Sequence, residues 1–490
     1  MPRRWIFADQ LGPHFLDDRH QPLLLIESKA VFRRRAFHRQ KAHLVLSALR
    51  HRAAELGDQA LHLRTETYRE GLARVREPVE VNHPTSRRAR DLVRSLDRVR
   101  VLPPRGFVTT TEDFTAWADE RRGAMRLDDF YRYARRHHRV LLDGDEPAGG
   151  RWSLDAENRQ PPPKGSERLD VPPPPMPEED DIDAEVRHDL DRWAAEGIRF
   201  VGRDGPRLFP ATRAEATTRL HHFLRHRLPK FGPYEDAMLA TDPFMAHSLL
   251  SSSFNLGLLD PMDAIRGAEE AYRTGDAPLS SVEGFVRQLL GWRDFAWHLY
   301  WYFEAGHRRS DGLGARRSVP SWFADLDADS VRARCLSDVL AGVRDRGWVH
   351  HIPRLMVLGN YAIQRGWRPS ELVDWFHRSF VDGHEWAMTA NVVGMSQYAD
   401  LGQLSTRPYA ASGEYVNRMS DYCGGCPYDP KRRHGETACP YTGGYWVFLD
   451  RTRERLPSSA RMVRSLRQLD RLDDLPAIKE QERKRGSQAP

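Results

Sequence analysis

The sequence predicts an N-terminal α/β domain built on a Rossmann-like parallel sheet, followed by a large all-α domain. Short apolar runs near the start end in turn residues, as the strands of an open sheet do. A stretch of Gly, Pro and charge over residues 143–180 separates the two halves, and apolar side chains recur at helical spacing beyond it. A chain of 490 residues has room for two or three domains and at least one sizeable core.

The first strand is Trp5-Ile6-Phe7-Ala8, closed by Asp9-Gln10-Leu11-Gly12-Pro13, and the second is the run from Leu23 to Ile26, which ends at Glu27-Ser28. Amphipathic stretches such as residues 42–56 alternate with such runs over residues 1–135. That alternation predicts parallel pairing, because parallel strands need a crossover between them. Val99-Arg100-Val101-Leu102 is a further strand that Pro103-Pro104 cuts short. Residues 136–225 read as the connector, since Gln160-Pro161-Pro162-Pro163 and Pro172-Pro173-Pro174-Pro175 cannot supply ladder or helix donors. Residues 226–478 read as helical. Ser280 and Glu283 have the spacing of a capping box, and Phe285, Leu289, Trp292, Ala296 and Leu299 follow on one helical face. Pro353 sits near the start of another helix, and Ser370 is positioned to cap the one carrying Leu372, Trp375 and Phe376. Residues 479–490 are polar and charged and are expected to be a mobile tail.

Composition narrows the function classes. Hydrophobic residues at 40% and charged residues at 29% fit a globular protein with a charged surface. No apolar run reaches spanning length and the first residues lack a secretory pattern, so a cytoplasmic monomer is expected. The net charge of +6 tilts the chain toward a polyanionic partner. Arg33-Arg34-Arg35 and Lys431-Arg432-Arg433 are either phosphate contacts or plain solvated faces.

Only four cysteines occur, which is a metal or redox pattern in a reducing compartment. Cys423 and Cys426 form a Cys-x-x-Cys pair, Cys439 follows and precedes Pro440, and Cys335 lies far upstream. Four thiolates complete either a tetrahedral zinc site or a [4Fe-4S] cube, and His434 is an alternative zinc ligand. Spacing leaves both metals open.

Several segments together resemble the iron-sulfur bacterial cryptochromes and photolyases, the branch that includes the prokaryotic (6-4) photolyases. They are Ala8-Asp9-Gln10-Leu11, residues 149–159 (GGRWSLDAENR), Tyr234-Glu235-Asp236-Ala237-Met238, His247-Ser248-Leu249-Leu250-Ser251, Gly291-Trp292-Arg293-Asp294, residues 350–356 (HHIPRLM) and residues 391–397 (NVVGMSQ). The cysteines fall where that family holds its cluster. The resemblance implies an antenna-binding α/β domain, a helical FAD-binding domain and a [4Fe-4S] cluster on Cys335, Cys423, Cys426 and Cys439. The implied antenna is 6,7-dimethyl-8-ribityllumazine, with Asp9, Gln10 and Glu27 as its pocket.

For FAD the resemblance assigns His247, Ser248 and Ser251 as donors beside Leu249 and Leu250, with Tyr234 closing over the cofactor. Gln288 and Trp292, four apart on one helix, face the same cavity with Arg293 beside them. Asn391 matches the position facing the flavin ring and Asp382 a carboxylate near it. Met388 stands where some relatives carry an acid, and Ala390 where they carry proline. The implied activity is blue-light repair of pyrimidine dimers in UV-damaged DNA, with electron donation from excited reduced FAD. For (6-4) products, His351 is the proton-handling candidate, with His350 as neighbour. Trp375 matches a redox relay position, and Phe376 beside it is a poor relay. Two rivals stand beside this reading: a photoreceptor that signals through a partner without repair, and a light-independent iron-sulfur or zinc nucleic-acid-binding protein.

Overall fold

Five short strands open the chain: β1 (Arg3–Trp5), β2 (Leu23–Ser28), β3 (Ala60–Thr65), β4 (Val79–Asn82) and β5 (Val99–Leu102). The computed structural model describes residues 2–121, 124–303 and 305–490. The strands pair in the order β3-β2-β1-β4-β5 and every pair is parallel. Leu23 and Leu25 of β2 face the large core shared with the helices, whereas Leu24 and Ile26 face Trp5, Val79 and Val81 on the other side. Burial on both faces is why β2 reads as an unbroken apolar run. Pairing in β1 stops at Trp5, earlier than the apolar run suggests, although the Ile6 N–H still donates to Leu24 O at 3.0 Å. The strand order reverses between β1 and β4, and the crevice beyond their carboxyl ends is where open α/β sheets bind ligands.

Helix Arg39–Leu56 covers one face of the sheet and packs on helix Asp181–Ala195 through Ala42, Leu46, Val186, Leu190 and Trp193. Residues 136–225 therefore contain more than a linker. They carry helices Asp181–Ala195 and Arg213–His222, while residues 159–180 hold neither helix nor strand. Asp180 starts the first of these with a capping box to Asp183.

Three sequence expectations need correction. The helix after Pro278 begins at Leu279, and no side chain caps it. Ser280 therefore caps nothing; its neighbour Ser281 accepts a hydrogen bond from the Gly232 N–H at 2.9 Å, and buried Glu283 accepts one from the Leu154 N–H at 2.9 Å. Of the predicted box, Glu283 thus ties the connector to the helix through Leu154, and the Ser280 carbonyl accepts from connector residue Asn158 Nδ2 at 2.9 Å. Ser370 likewise caps nothing: helix Pro369–Ser379 starts one residue earlier, with Pro369 in the first turn and no side-chain cap. Residues 479–490 are folded against the body, continuing helix Leu475–Arg485. Ile478 is fully buried, Glu482 pairs with buried Arg365 at 2.6 Å, and the Arg332 N–H donates to Pro490 O at 2.6 Å. A buried ion pair and an apolar anchor overcome the polar composition that suggested mobility.

The helical domain contains π-helical segments at Phe223–Arg227, Arg287–Arg293, Pro353–Gly359 and Thr389–Ser396. Segments of this kind re-aim side chains within a helix and recur at functional sites. The last three all contribute walls to one cavity. No helix among the described residues is long and apolar enough to cross a membrane.

Candidate active site

A cavity of about 1460 Å³ opens in the helical domain. Its floor includes the turn 244–251, which depends on a buried cation. Arg227 donates to His247 O at 3.0 Å, to Phe244 O at 3.3 Å and to Pro172 O at 2.7 Å. These carbonyls would otherwise be unmet inside the protein. The turn forces Met245 and Leu249 into left-handed backbone, at φ 46° and 56°, a strained conformation that such residues rarely hold without tertiary support. It delivers His247, Ser248, Leu249, Leu250 and Ser251 to the cavity wall.

A buried ion pair in the wall is built on Asp382. Arg354 forks onto both its oxygens at 2.9 and 3.0 Å, and the Ser251 hydroxyl donates to it at 2.6 Å. Burial pushes this carboxyl up, but Arg354 and Ser251 outweigh it and hold it below the usual carboxylate range. Glu235 behaves oppositely. It is buried, accepts from Gln288 Nε2 at 2.6 Å, and is pushed up to about 7 by burial. Among the carboxyls that line the cavity, Asp382 is therefore held as an anion and Glu235 titrates near neutrality.

Asn391 donates from Nδ2 to Ala387 O at 2.9 Å, which orients its amide and leaves Oδ1 as an acceptor for the cavity. Met388 and Ala390 beside it are buried and apolar. Arg293 is enclosed, donates to Gly106 O at 2.8 Å, and lies 4.3 Å above the Phe107 ring, so it joins the sheet domain to the cavity wall. Trp386 also lines the cavity and begins a line of indoles, 5.9 Å from Trp297, which is 5.5 Å from half-buried Trp301. His350 stacks on His247 at 4.3 Å, and both are held neutral by burial, with His351 and Arg354 adding to it for each and His350 and Arg227 also for His247. His351 stands at the open side with its side chain 46% exposed and Nε2 3.4 Å from Asp236. Arg126, Arg159, Arg407, Arg418 and Arg461 line the same opening.

Two smaller places hold the cysteines and the strand-end candidates. Cys335, Cys423, Cys426 and Cys439 line one small enclosed space with Tyr441 and Val416. Burial pushes the Cys335, Cys423 and Cys439 thiols up, and the proximity of the other cysteines adds to this for Cys335 and Cys423, with Cys423 at about 12. At the carboxyl end of β1, Gln10 donates to Asn82 O at 3.3 Å, and Asp9 accepts from Thr85 while its Oδ1 is buried without a partner.

The (6-4) photolyase of Agrobacterium fabrum is 35% identical over 484 residues, covering 94% of this chain and 93% of that protein. The chain belongs to the photolyase family. Residues 4–198 also match the family model described as deoxyribodipyrimidine photo-lyase-related protein. Among solved structures, a class III photolyase from Agrobacterium tumefaciens superposes with a TM-score of 0.53 at 15% identity, covering 81% of this chain and 79% of that one. A cryptochrome of Synechocystis sp. PCC6803 superposes with a TM-score of 0.52 at 13% identity, covering 85% and 88%. These two establish the photolyase/cryptochrome fold.

Within this photolyase fold, the candidates from the sequence gather in part. His247, Ser248, Leu249, Leu250, Ser251, Gln288, Trp292, Arg293, His350, His351, Asp382 and Asn391 all line the one cavity. Tyr234 does not; its neighbours Glu235 and Asp236 do. Trp375 lies behind Phe376, donating to Phe323 O at 3.0 Å, so the phenyl ring and not the indole meets the cavity. Glu27 is consumed by a fork from Arg50 at 2.8 and 2.9 Å and by His62 at 2.9 Å. His434 pairs with Asp474 at 3.4 Å away from the cysteines. Neither basic run lines the cavity, and Arg33, Arg35 and Arg433 pair with Glu66, Asp374 and Asp474. Sequence reasoning missed Arg354, Glu235, Trp386 and the arginines of the opening. Arg354 follows His350-His351 by one helical turn, a spacing that could have flagged it.

Proposed function

We propose that this chain is a blue-light-driven DNA photolyase acting on (6-4) photoproducts in UV-damaged DNA. In this reading it holds FAD in the large cavity, a [4Fe-4S] cluster on the four cysteines and a lumazine antenna at the sheet edge. The observation that carries the reading is the exposed His351 beside neutral His350 at the mouth of a cavity too large for one guest. A volume of about 1460 Å³ exceeds the roughly 300–1,000 Å³ of a pocket for one small molecule, leaving room for a nucleotide pair beside a cofactor.

FAD, when bound, supplies the light-absorbing electron donor. The residues present fit it: Arg293 Nε is a buried polar atom without a partner, and the Asn391 amide offers an acceptor. The Asp382 and Arg354 pair fixes charge beside that space. His351 is the group placed to hand a proton to the transferred hydroxyl of a flipped lesion, with Asp236 orienting its ring and His350 excluding water behind it. The arginines of the opening suit the phosphates flanking a flipped dinucleotide.

For the cysteines, a cube fits better than a single ion. No three of their sulfur atoms lie within 4.8 Å of one another, whereas tetrahedral zinc with bonds of about 2.3 Å needs them about 3.8 Å apart. For the antenna, the orphaned Asp9 Oδ1 and His83 Nδ1 lie at the strand-order reversal, where a ligand is expected, and burial pushes the Asp9 carboxyl up. Glu27 does not fit that role, since its oxygens are already spent on Arg50 and His62.

Blue-light turnover of (6-4)-containing oligonucleotides tests the function, with His351→Ala expected to lower repair by about 10²-fold or more while DNA binding persists. Reversible light response without any repair by the native chain would replace this reading with that of a photoreceptor.

A further inference from the structure

Two buried imidazole nitrogens at the open side of the cavity lack any hydrogen-bond partner. His247 is 8% exposed and His350 4%, and their rings stack at 4.3 Å. Nε2 of His247 and Nδ1 of His350 are both unmet. His351 closes the group from the solvent side, its ring 5.5 Å from that of His247 and 6.0 Å from that of His350. One nitrogen from each of the three rings lies within 4.8 Å of the other two. An unmet buried polar atom is costly, and two of them side by side, backed by a third ring, define a place for a guest that accepts nitrogen lone pairs.

The geometry points to a divalent transition-metal site in which His247, His350 and His351 bind one ion of the zinc class, with its fourth position open to the cavity. Three imidazoles and one free position form a familiar donor set for zinc, and imidazole selects such ions over magnesium or calcium. Tetrahedral bonds of about 2.0 Å require the nitrogens to approach to about 3.3 Å. His351 is exposed and can swing inward to meet that demand, whereas His247 and His350 are already held by the turn 244–251 and by the helix start before Pro353. Arg227 and Arg354 oppose a cation here, and Asp236, 3.4 Å from His351, favours it. A bound ion takes the lone pair on His351, so on the proposed function zinc and a lesion exclude one another.

The test is zinc binding to protein that retains its flavin and cluster. Calorimetric titration with zinc chloride is expected to give one ion per chain with Kd of about 100 µM or tighter. Zinc-edge X-ray absorption of the one-to-one complex should show nitrogen or oxygen scatterers at about 2.0 Å and no sulfur near about 2.3 Å. His350→Gln and His351→Gln should each weaken binding at least tenfold with flavin absorbance unchanged. Weaker binding by the native chain, sulfur scatterers, or affinity indifferent to both substitutions would overturn the site. If either variant sheds its flavin, the absorption spectrum of the native complex decides alone. Loss of repair on adding zinc without the nitrogen signature would also count against it, while leaving the photolyase reading intact.

Discussion

Replacing Glu235 by glutamine should stabilise the protein by an amount that grows as pH rises from about 4.5 and is complete above about 7. This carboxyl is buried and raised from 4.5 to about 7, with burial as the leading cause. Below about pH 4.5 both folded and unfolded forms are protonated and the group is neutral in its effect. Between 4.5 and 7 the unfolded chain ionises first, so stability falls as pH rises, and above 7 the full penalty is present. The difference of about 2.5 pH units corresponds to about 3 kcal/mol. Glutamine keeps the acceptor that Gln288 Nε2 uses at 2.6 Å and carries no charge to bury. With unfolding entropy of about 2.1 cal/mol/K per residue, 490 residues give about 1 kcal/mol/K, so the gain is about 3 °C in Tm at pH 8. At pH 5 the gain should stay below about 1 °C. Thermal melts of flavin-loaded protein at the two pH values measure both. A gain at pH 5 equal to that at pH 8 would refute the reasoning, because it would owe nothing to ionisation.

Asp382→Asn should leave the Arg354 guanidinium without its counter-charge, costing about 3–5 kcal/mol and several degrees of Tm, with the flavin-to-protein ratio falling in the same preparation. Gly413→Ala adds a Cβ that meets Cys439 Sγ at 2.6 Å and Thr442 Oγ1 at 3.0 Å. Iron and sulfide content should drop at least about twofold while flavin absorbance holds, and unchanged iron would show that the cysteine cradle tolerates the methyl group. Trp386→Phe should slow light-induced bleaching of flavin absorbance at least about tenfold, and Trp375→Phe less, because only the first indole meets the cavity. Equal effects would restore Trp375 as the nearer ring.

The division into a sheet and a helical half was legible because two signals differ in kind. Apolar runs ended by turn residues mark β2 and β5, and a 3.6-residue period marks the helix that carries Leu289 and Trp292. β3 escaped notice because Ala60-Leu61-His62-Leu63-Arg64-Thr65 is half polar, as befits an edge strand with no residue buried. Capping signals misled twice. Ser280 caps nothing and Glu283 satisfies the distant Leu154 N–H, a use that local spacing cannot distinguish from a cap. The cavity residues were legible through family resemblance more than through periodicity, since Ser248 and Asn391 acquire meaning only where turn 244–251 and a π-helical segment bring them together. Glu27 and Trp375 failed for a shared reason: a strand-end carboxylate or a helix-face indole looks identical in sequence whether it faces a guest, an arginine or another ring.

Helix Leu475–Arg485 bears on the order in which the molecule is made. It reaches back to both strands of chain that bear the outer cysteines: Arg485 donates to Ala438 O at 3.3 Å, beside Cys439, and the backbone beyond it accepts from Arg332 and Ala333, just ahead of Cys335. A ribosome releases this helix after every thiol has emerged, so the space between the cysteines has an open doorway during synthesis and a bolted one afterwards. On the proposed cluster, iron loading comes before this helix docks, and mature protein stripped of iron should refill slowly unless that bolt is first drawn.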